Sequence, residues 1–211
     1  MDDQIVNTDN WVFISENKTG VKILCKVPTG YTDVTNAYFK YSTNPGVGPV
    51  AANEFIAYRL GLKLGLPMNR TQFKTFEGVN GVLIEKSPGE VNMWRNFPFK
   101  ADLERTLDQY KLLAKVIVFD VLILNKDRNP DNLIYSRIRD KKYDFYLIDH
   151  AMSLYGPNQD PADYNDFPFS SMIQIPEFRS LFTKGLDFFK DEIDEIKALD
   201  DVFITEVVNS V

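Results

Sequence analysis

Two kinds of hydrophobic spacing divide the chain near residue 88. Before that point, short runs alternate apolar and polar residues, which is typical of half-buried strands. After it, apolar residues recur every three or four positions, as on one face of a helix. Strands are predicted at 11–15, 21–27, 36–42, 71–76 and 81–87, with one helix at 49–64. We therefore expect one sheet with one helix before residue 88 and a mainly helical region after it.

The helical region is interrupted by one β-type hairpin. Its strands are predicted at 133–136 and 143–148, on either side of a charged turn. A polar and aromatic segment rich in proline follows, and a long irregular segment of this kind is typical of a lid or activation loop. Helices are predicted at 99–107, 108–124, 176–184, 187–199 and 202–211.

Composition limits the classes of function. The chain has 211 residues, of which 44% are hydrophobic, so it suits one large domain or two small lobes. The net charge is −6 and no basic run is visible, so nucleic-acid binding is not predicted. The single cysteine, Cys25, excludes an internal disulfide and favours a cytoplasmic setting. No apolar run is long enough to span a bilayer, and the acidic N-terminus does not resemble a signal peptide.

Acidic and amide side chains converge around one polar loop. An apolar helix, interrupted by Asp120, is followed by the loop NKDRNPDN at 125–132. The hairpin after this loop ends in Asp149, so its carboxylate is expected close to Asp127 and Asn132. Carboxylate and amide oxygens in one cleft are what Mg²⁺ bound to substrate phosphates requires.

The loop also has two other interpretations. Asp127, Asn129 and Asp131 occupy positions 1, 3 and 5 of an EF-hand-like calcium loop. That match then fails, because position 6 is Asn132 instead of Gly and position 12 is Ile138 instead of Glu. The loop could also be a solvated turn, which its Asn, Pro and Asp residues would suit.

The spacing resembles that of a kinase. Asp127 and Asn132 are five residues apart, like the catalytic Asp and metal-binding Asn of a kinase catalytic loop. Protein kinases have His-Arg before the Asp and Phe-Gly after the metal Asp, whereas this chain has His-Ala after Asp149. Two segments resemble instead the motifs of HipA-like kinases and, more distantly, of phosphoinositide-kinase-like proteins. They are VFDVLILNKDRNPDN and FYLIDHAMSL. The resemblance extends more weakly over residues 20–155.

The resemblance implies a fold and an activity. The fold would be α+β and two-lobed, as in protein kinases, with a nucleotide-binding lobe at 1–88 and a helical catalytic lobe at 89–211. The cofactors would be ATP and Mg²⁺, and the γ-phosphoryl group would pass to a hydroxyl, which in HipA-like kinases is that of a protein serine. Some members act as toxins beside an antitoxin, so an antitoxin-like partner is implied. The alternatives are an inactive nucleotide-binding module, a lipid or small-molecule kinase, and a metal-stabilised interaction protein.

Residue roles follow from the same resemblance. Asp127 would be the catalytic base, and Asn132 and Asp149 would hold the metal. Lys40 would contact the α- and β-phosphates and Glu54 would pair with it. Without the resemblance, Lys40 could be an ordinary strand lysine and Glu54 a carboxylate that favours a helix N-terminus.

Further residues are predicted to bind the nucleotide or to support the site. Glu85, Lys86 and Ser87 would form the hinge that meets the adenine, and a phosphate-covering loop is expected at 28–35. Asp120 lies inside an apolar helix and needs a partner, because a buried unpaired carboxylate is costly, and backbone amides at 126–129 are the expected donors. Arg128 would contact phosphate or brace the acidic cluster. His150 would be either a base or a packed residue beside the metal ligand.

Overall fold

The computed structural model describes residues 11–16, 21–26, 35–41, 49–76, 78–87, 89–98, 100–154 and 169–211. A five-stranded antiparallel sheet occupies the first part of the chain, and its strands lie in the order β1-β2-β3-β5-β4. The strands predicted before residue 88 therefore form one sheet, as expected. They are β1 (Trp11–Glu16), β2 (Val21–Lys26), β3 (Thr35–Lys40), β4 (Thr71–Phe76) and β5 (Val79–Glu85).

Helix α1 (Val50–Lys63) contacts β4 and β5, as predicted. It begins directly after a proline, whose fixed φ suits a helix start. It ends before Gly65, whose φ of 68° would strain most other residues. The buried face includes Ala57 and Leu60, but it also includes the polar residues Asn53 and Glu54. Buried polar side chains need partners, and both of these point to the candidate site.

A second antiparallel sheet of three strands follows, in the order β6-β7-β8. The predicted hairpin is present and longer than expected. Strand β6 was not predicted, because three residues are too few to show a period and the strand is defined by its pairing with the distant β7. The strands are β6 (Val91–Met93), β7 (Leu133–Arg139) and β8 (Lys142–Leu147).

Helices dominate after residue 98, with different bounds from those predicted. The short helix predicted at 99–107 is present over residues 100–106, where a 3₁₀ turn at 100–102 is followed by a single α-helical turn. The next helix begins at Leu112 and not at Asp108, since the Asp108 amide donates to the Tyr143 carbonyl of β8. The α-helices are α2 (Leu103–Thr106), α3 (Leu112–Leu122), α4 (Phe169–Met172), α5 (Pro176–Phe182), α6 (Lys190–Lys197) and α7 (Asp201–Asn209).

The main core surrounds α3, which is the most apolar helix. Phe119 and Val116 of α3 are fully buried, together with Trp94 and Phe145 from the second sheet region. Helix α1 contributes Ala57 and Leu60 to this same core, and Leu64 directly after the helix belongs to it too. No helix within the described ranges is both long enough and apolar enough to cross a bilayer. Because α3 is packed in this core, the loop that follows it is fixed by that helix at one end and by β7 at the other.

Candidate functional site

Three separate elements meet at the ammonium group of Lys40. Lys40 lies at the end of β3, and its Nζ donates to Glu54 Oε1 of α1 at 2.6 Å. The same Nζ donates to Asp149 Oδ1, just after β8, at 2.9 Å. The ion pair predicted between Lys40 and Glu54 is thus present. The predicted metal ligand Asp149 joins it, although it lies 109 residues away in the chain.

Burial makes this cluster electrostatically strong. Glu54 is 3% exposed and Lys40 13%, whereas Asp149 is 42% exposed. Burial alone would raise the pKa of Glu54, but the Lys40 charge and a hydrogen bond from His150 lower that pKa to about 2. Burial likewise disfavours the charge of Lys40, but Glu54 and then Asp149 outweigh it and raise its pKa. Both partners of the buried pair are therefore charged at neutral pH.

A buried arginine organises the loop between α3 and β7. Arg128 and Asp120 are both fully buried, and the guanidinium binds the carboxylate through Nε at 2.8 Å and Nη2 at 3.1 Å. The Asn125 side-chain amide also donates to Asp120, at 2.9 Å. The partner predicted for Asp120 was therefore wrong, because side chains take the place of the backbone amides at 126–129. A guanidinium matches a carboxylate in two bonds and carries its own charge, so it satisfies Asp120 better than amides would.

The remaining Arg128 bonds fix the loop in place. Nη1 donates to the carbonyls of Asn132 and, at 3.1 Å, of Ile148, while Nη2 lies 3.0 Å from His150 Nε2. Arg128 therefore braces the acidic cluster from within, which is one of its two predicted roles. Because Ile148 precedes Asp149, this one side chain ties together the segments that carry both predicted metal ligands.

Within the loop, asparagine amides hold the carboxylate of Asp127. Asn129 Nδ2 donates to Asp127 Oδ1 at 3.0 Å, and Asn132 Nδ2 donates to Oδ2 at 2.9 Å. The Asp127 amide in turn donates to Asn125 Oδ1 at 3.1 Å. With the nitrogen of Asn132 turned to Asp127, its Oδ1 is the amide atom left to bind a cation. Asp127 and Asn132 thus contact each other through the amide of Asn132.

A cavity of about 300 Å³ lies beside the lysine cluster. Tyr38, Met68, Ile84 and Leu147 supply much of its apolar wall. The polar residues in its lining are Lys40, Glu54, Asn69, Thr71, Lys86, Ser87, Asp149 and His150. An apolar cleft with a few charged groups at one side is the usual form of a small-molecule site.

The predicted hinge residues fall in different places around this cavity. Lys86 and Ser87 line it, and the Ser87 hydroxyl donates to Asn69 Oδ1 at 2.7 Å. Glu85 instead pairs with Arg70 at 3.8 Å, and its amide donates to the Arg70 carbonyl. Asp127 and Asn132 are not among the residues that line the cavity. Asn132 reaches its wall through its carbonyl, which accepts from the Ile148 amide at 3.3 Å.

Sequence reasoning missed several supporting residues. Asn53 donates from α1 to the Ala151 carbonyl at 2.9 Å, and Ser171 donates from α4 to the Lys126 carbonyl at 2.7 Å. Arg95 forms an ion pair with Asp131 of the loop. These contacts join residues far apart in the chain, so no local pattern marks them. Most of the phosphate-covering loop predicted at 28–35 lies outside the described residues, and its last residue, Thr35, begins β3. Most of the predicted lid also lies outside them.

The donor set suits magnesium more than a self-contained metal cage. Within the described residues, no group of three or more His, Cys, Asp or Glu side chains could hold a metal ion. Magnesium in phosphate-transferring proteins needs only one or two carboxylates, because the substrate phosphates and water complete its shell. The exposed carboxylate of Asp149 and the free amide oxygen of Asn132 fit that requirement.

Comparisons with known proteins identify the fold. No family model and no curated protein sequence matches the chain. The Helicobacter pylori proinflammatory kinase CtkA is similar in structure, with a TM-score of 0.59 and 15% sequence identity over 92% of this chain and 82% of that one. The HipA chain from a Shewanella oneidensis MR-1 toxin–antitoxin complex with HipB and operator DNA gives a TM-score of 0.47 and 16% identity, over 83% of this chain and 52% of HipA. At these identities the comparisons concern the fold alone, and the chain shares its fold with a solved kinase.

Proposed function

We propose that the chain is a kinase of the HipA-like type, which transfers the γ-phosphoryl group of ATP to a hydroxyl in the presence of Mg²⁺. The observation that carries the proposal is the position of Lys40 Nζ between Glu54 and Asp149 at the wall of the cavity. A lysine held by a helix carboxylate, next to a metal-binding aspartate, is the arrangement with which kinases hold phosphates. A calcium loop or a solvated turn gives no reason for these three residues to meet.

ATP would enter the cavity with its base between the apolar walls. The backbone at Lys86 and Ser87 would face the adenine, since the Glu85 amide is already bonded to the Arg70 carbonyl. Lys40 would then contact the α- and β-phosphates. In this proposal, residues 1–88 form the nucleotide-binding lobe and residues 89–211 form the catalytic lobe of one two-lobed domain.

Asn132 and Asp149 would hold Mg²⁺ through Oδ1 of the amide and through the carboxylate. When bound, Mg²⁺ neutralises charge on the phosphates and keeps them in line for transfer. The protein's own contribution is position, because Arg128 fixes the carbonyls of Asn132 and Ile148. Asp149 contacts Lys40 in the present structure, so we expect phosphate oxygens to share the lysine with it in the complex.

Asp127 would orient the acceptor hydroxyl and accept its proton. The hydroxyl oxygen forms a bond to the γ-phosphorus, the bond to the bridging oxygen of ADP breaks, and the proton passes to Asp127. The amides of Asn129 and Asn132 direct the carboxylate and leave further lone pairs on its oxygens. By resemblance the acceptor is a protein serine or threonine, the compartment is the cytoplasm and the partner is antitoxin-like, and all three belong to the proposal.

Two isosteric variants test the assignment. Asp149→Asn is expected to lose Mg²⁺-dependent binding of an ATP analogue together with transfer, because a metal ligand loses its charge. Asp127→Asn is expected to bind Mg-ATP normally and to lose about 10²–10⁴-fold in transfer, as for loss of a general base. The measurements are analogue titration with and without Mg²⁺ and transfer of labelled phosphate. Asp140→Asn, at an exposed turn, is the matched control.

The outcomes separate the rival functions. Equal loss of analogue affinity in Asp127→Asn and Asp149→Asn would indicate one shared metal or structural role. Full transfer by Asp127→Asn would contradict the catalytic role of the loop. Analogue binding without any turnover by the unmodified chain would favour the inactive nucleotide-binding module. Absence of stabilisation by nucleotide would favour an interaction protein, since a ligand that binds only the folded state must stabilise it.

A further inference from the structure

The histidine after Asp149 is buried and touches both halves of the site. His150 is 2% exposed and is the only histidine in the sequence. Its backbone amide donates to Glu54 Oε1 at 3.1 Å, and its ring Nδ1 lies 3.5 Å from Glu54 Oε2. On the other side, ring Nε2 lies 3.0 Å from Arg128 Nη2. The imidazole therefore stands between the lysine cluster and the Arg128 network.

The partners of the ring determine which nitrogen carries its proton. A guanidinium has only donors, so Nε2 of His150 must accept from Arg128. The ring proton is therefore on Nδ1, where it faces the carboxylate of Glu54. Arg128 has five N–H groups, and its other four go to Asp120, Asn132 and Ile148. His150 accepts the fifth, so its removal would leave a fully buried guanidinium with an unsatisfied donor.

The same contacts hold the backbone of Asp149 in an unusual conformation. Asp149 has a φ of 59°, in the left-handed region that residues other than glycine rarely adopt. On one side of it, the Ile148 carbonyl accepts from Arg128. On the other side, the His150 amide donates to Glu54. A disfavoured conformation persists when its surroundings fix it, and here bonds on both flanks do so.

We infer that His150 is a positioning residue, which holds the Asp149 carboxylate toward Lys40 by linking Glu54 to Arg128. This role rests on the proposed function, because its purpose is to present a metal ligand. It differs from a base role, since neither ring nitrogen is left to accept a proton from substrate. It also differs from mere filling of space, since it requires one tautomer and two directed bonds.

The tautomer can be measured without any assumption about activity. Because the sequence holds one histidine, a long-range ¹H–¹⁵N spectrum of the tag-free, ¹⁵N-labelled chain reports His150 alone. At pH 7.5 we expect a protonated-type Nδ1 and an unprotonated-type Nε2. The reverse pattern, two protonated-type nitrogens or rapid averaging of the tautomers would overturn the inference. This result stands whether or not the chain proves to be a kinase.

Three substitutions then separate the two ring bonds. His150→Phe keeps the ring shape and its edge contact with Phe119 but removes both polar bonds. The amide of His150→Asn occupies the place of Nδ1 and can donate to Glu54, while the amide of His150→Gln reaches the place of Nε2 and can accept from Arg128. In a Mn²⁺ titration with a non-hydrolysable ATP analogue, we expect His150→Phe to bind the metal about 10–100-fold more weakly, as for loss of a ligand-supporting contact. His150→Asn and His150→Gln should each recover part of the loss.

The readouts distinguish positioning from general damage. In all three variants the loss of Mn²⁺ affinity should exceed any loss of metal-free analogue affinity, since Lys40 and the apolar walls are retained. Unchanged Mn²⁺ affinity in His150→Phe would overturn the inference, as would an equal fall in metal-free affinity. If His150→Phe does not fold, the Asn and Gln variants decide. Wild-type Mn²⁺ affinity in both of these variants would exclude a role for both directed bonds. Failure of the wild-type chain to bind the analogue would count against the proposed function, and the tautomer would still decide the role of His150.

Discussion

Replacement of Lys40 by methionine should destabilise the protein in a manner that depends on pH. Methionine keeps most of the length of the side chain but removes the charge that faces Glu54 and Asp149. Asp149 is 42% exposed and can be hydrated, whereas Glu54 is 3% exposed and would remain as a buried carboxylate without a cation. An uncompensated buried charge is costly, so the loss of stability should come mainly from Glu54.

The lowered pKa of Glu54 indicates how strongly its charged partners stabilise the folded protein. Its fall from the ordinary 4.5 to about 2 corresponds to about 3 kcal/mol, at about 1.4 kcal/mol for each pH unit. Because the folded-state pKa is lowered, this stabilisation is complete above pH 4.5 and is lost as the pH falls toward 2. The raised pKa of Lys40 acts only on the alkaline side, where its stabilisation is lost as the pH rises above the ordinary value of 10.5. At pH 7, therefore, Lys40→Met should cost about 3–5 kcal/mol in the free energy of unfolding, as for removal of one partner of a buried ion pair.

Urea unfolding followed by tryptophan fluorescence between pH 3 and 7 measures this effect. The gap between wild type and Lys40→Met should narrow as the pH falls, because Glu54 in the variant takes up a proton more readily. The loss in free energy of unfolding of Lys40→Met/Glu54→Gln should be smaller than the sum of the losses in the two single variants. Lys100→Met, at an exposed position, should match wild type. A gap that stays constant with pH, or a double variant that shows simple additivity, would refute the reasoning.

Two further changes test the support around the site. Arg128→Met leaves Asp120 buried without its cation, so unfolding measurements should show a loss of about 3–5 kcal/mol, with partial recovery in Asp120→Leu/Arg128→Met. A loss below about 1 kcal/mol, the value of a surface pair, would contradict the observed burial. Gly81→Ala would bring a Cβ to 2.4 Å from the Lys40 carbonyl and 2.7 Å from the Phe39 ring, so it should cost about 1–3 kcal/mol and weaken binding of an ATP analogue. Wild-type stability and affinity in Gly81→Ala would show that the two strands separate without cost.

Periodicity was sufficient to predict the strands of the first sheet and α1. Each of these elements has enough residues to show its own period, and turn residues separate them. Strand β6 and the start of α3 depended instead on distant partners. The Asp108 amide bonds to Tyr143, and β6 pairs with β7 across some forty residues of chain. Local propensity contains no information about such pairings.

The candidate site was predictable in its charged residues but not in its support. Lys40, Glu54 and Asp149 could be named because one acidic loop, one strand lysine and one helix glutamate stand in a known order. Asn53 has no such signal, although it anchors α1 to Ala151. The partner of Asp120 was missed because the direction of the Arg128 side chain, and the count of its donors, follow only from three-dimensional packing.

The packing of α1 restricts how the proposed kinase activity could be switched. Leu60 and Leu64 are 7% and 2% exposed and belong to the same core as α3, and Lys115 of α3 donates to the Leu64 carbonyl at 3.0 Å. An outward swing of α1, which would separate Glu54 from Lys40, must expose both leucines at about 2 kcal/mol each. Exposure of the leucines alone costs about 4 kcal/mol, before the separation of the Lys40–Glu54 pair is counted, so the swung-out state is populated below about one molecule in a thousand. The apparent affinity of an inhibitor that selects this state would be at least about a thousandfold weaker than its intrinsic affinity. Ligands that leave α1 in place should therefore be the stronger binders.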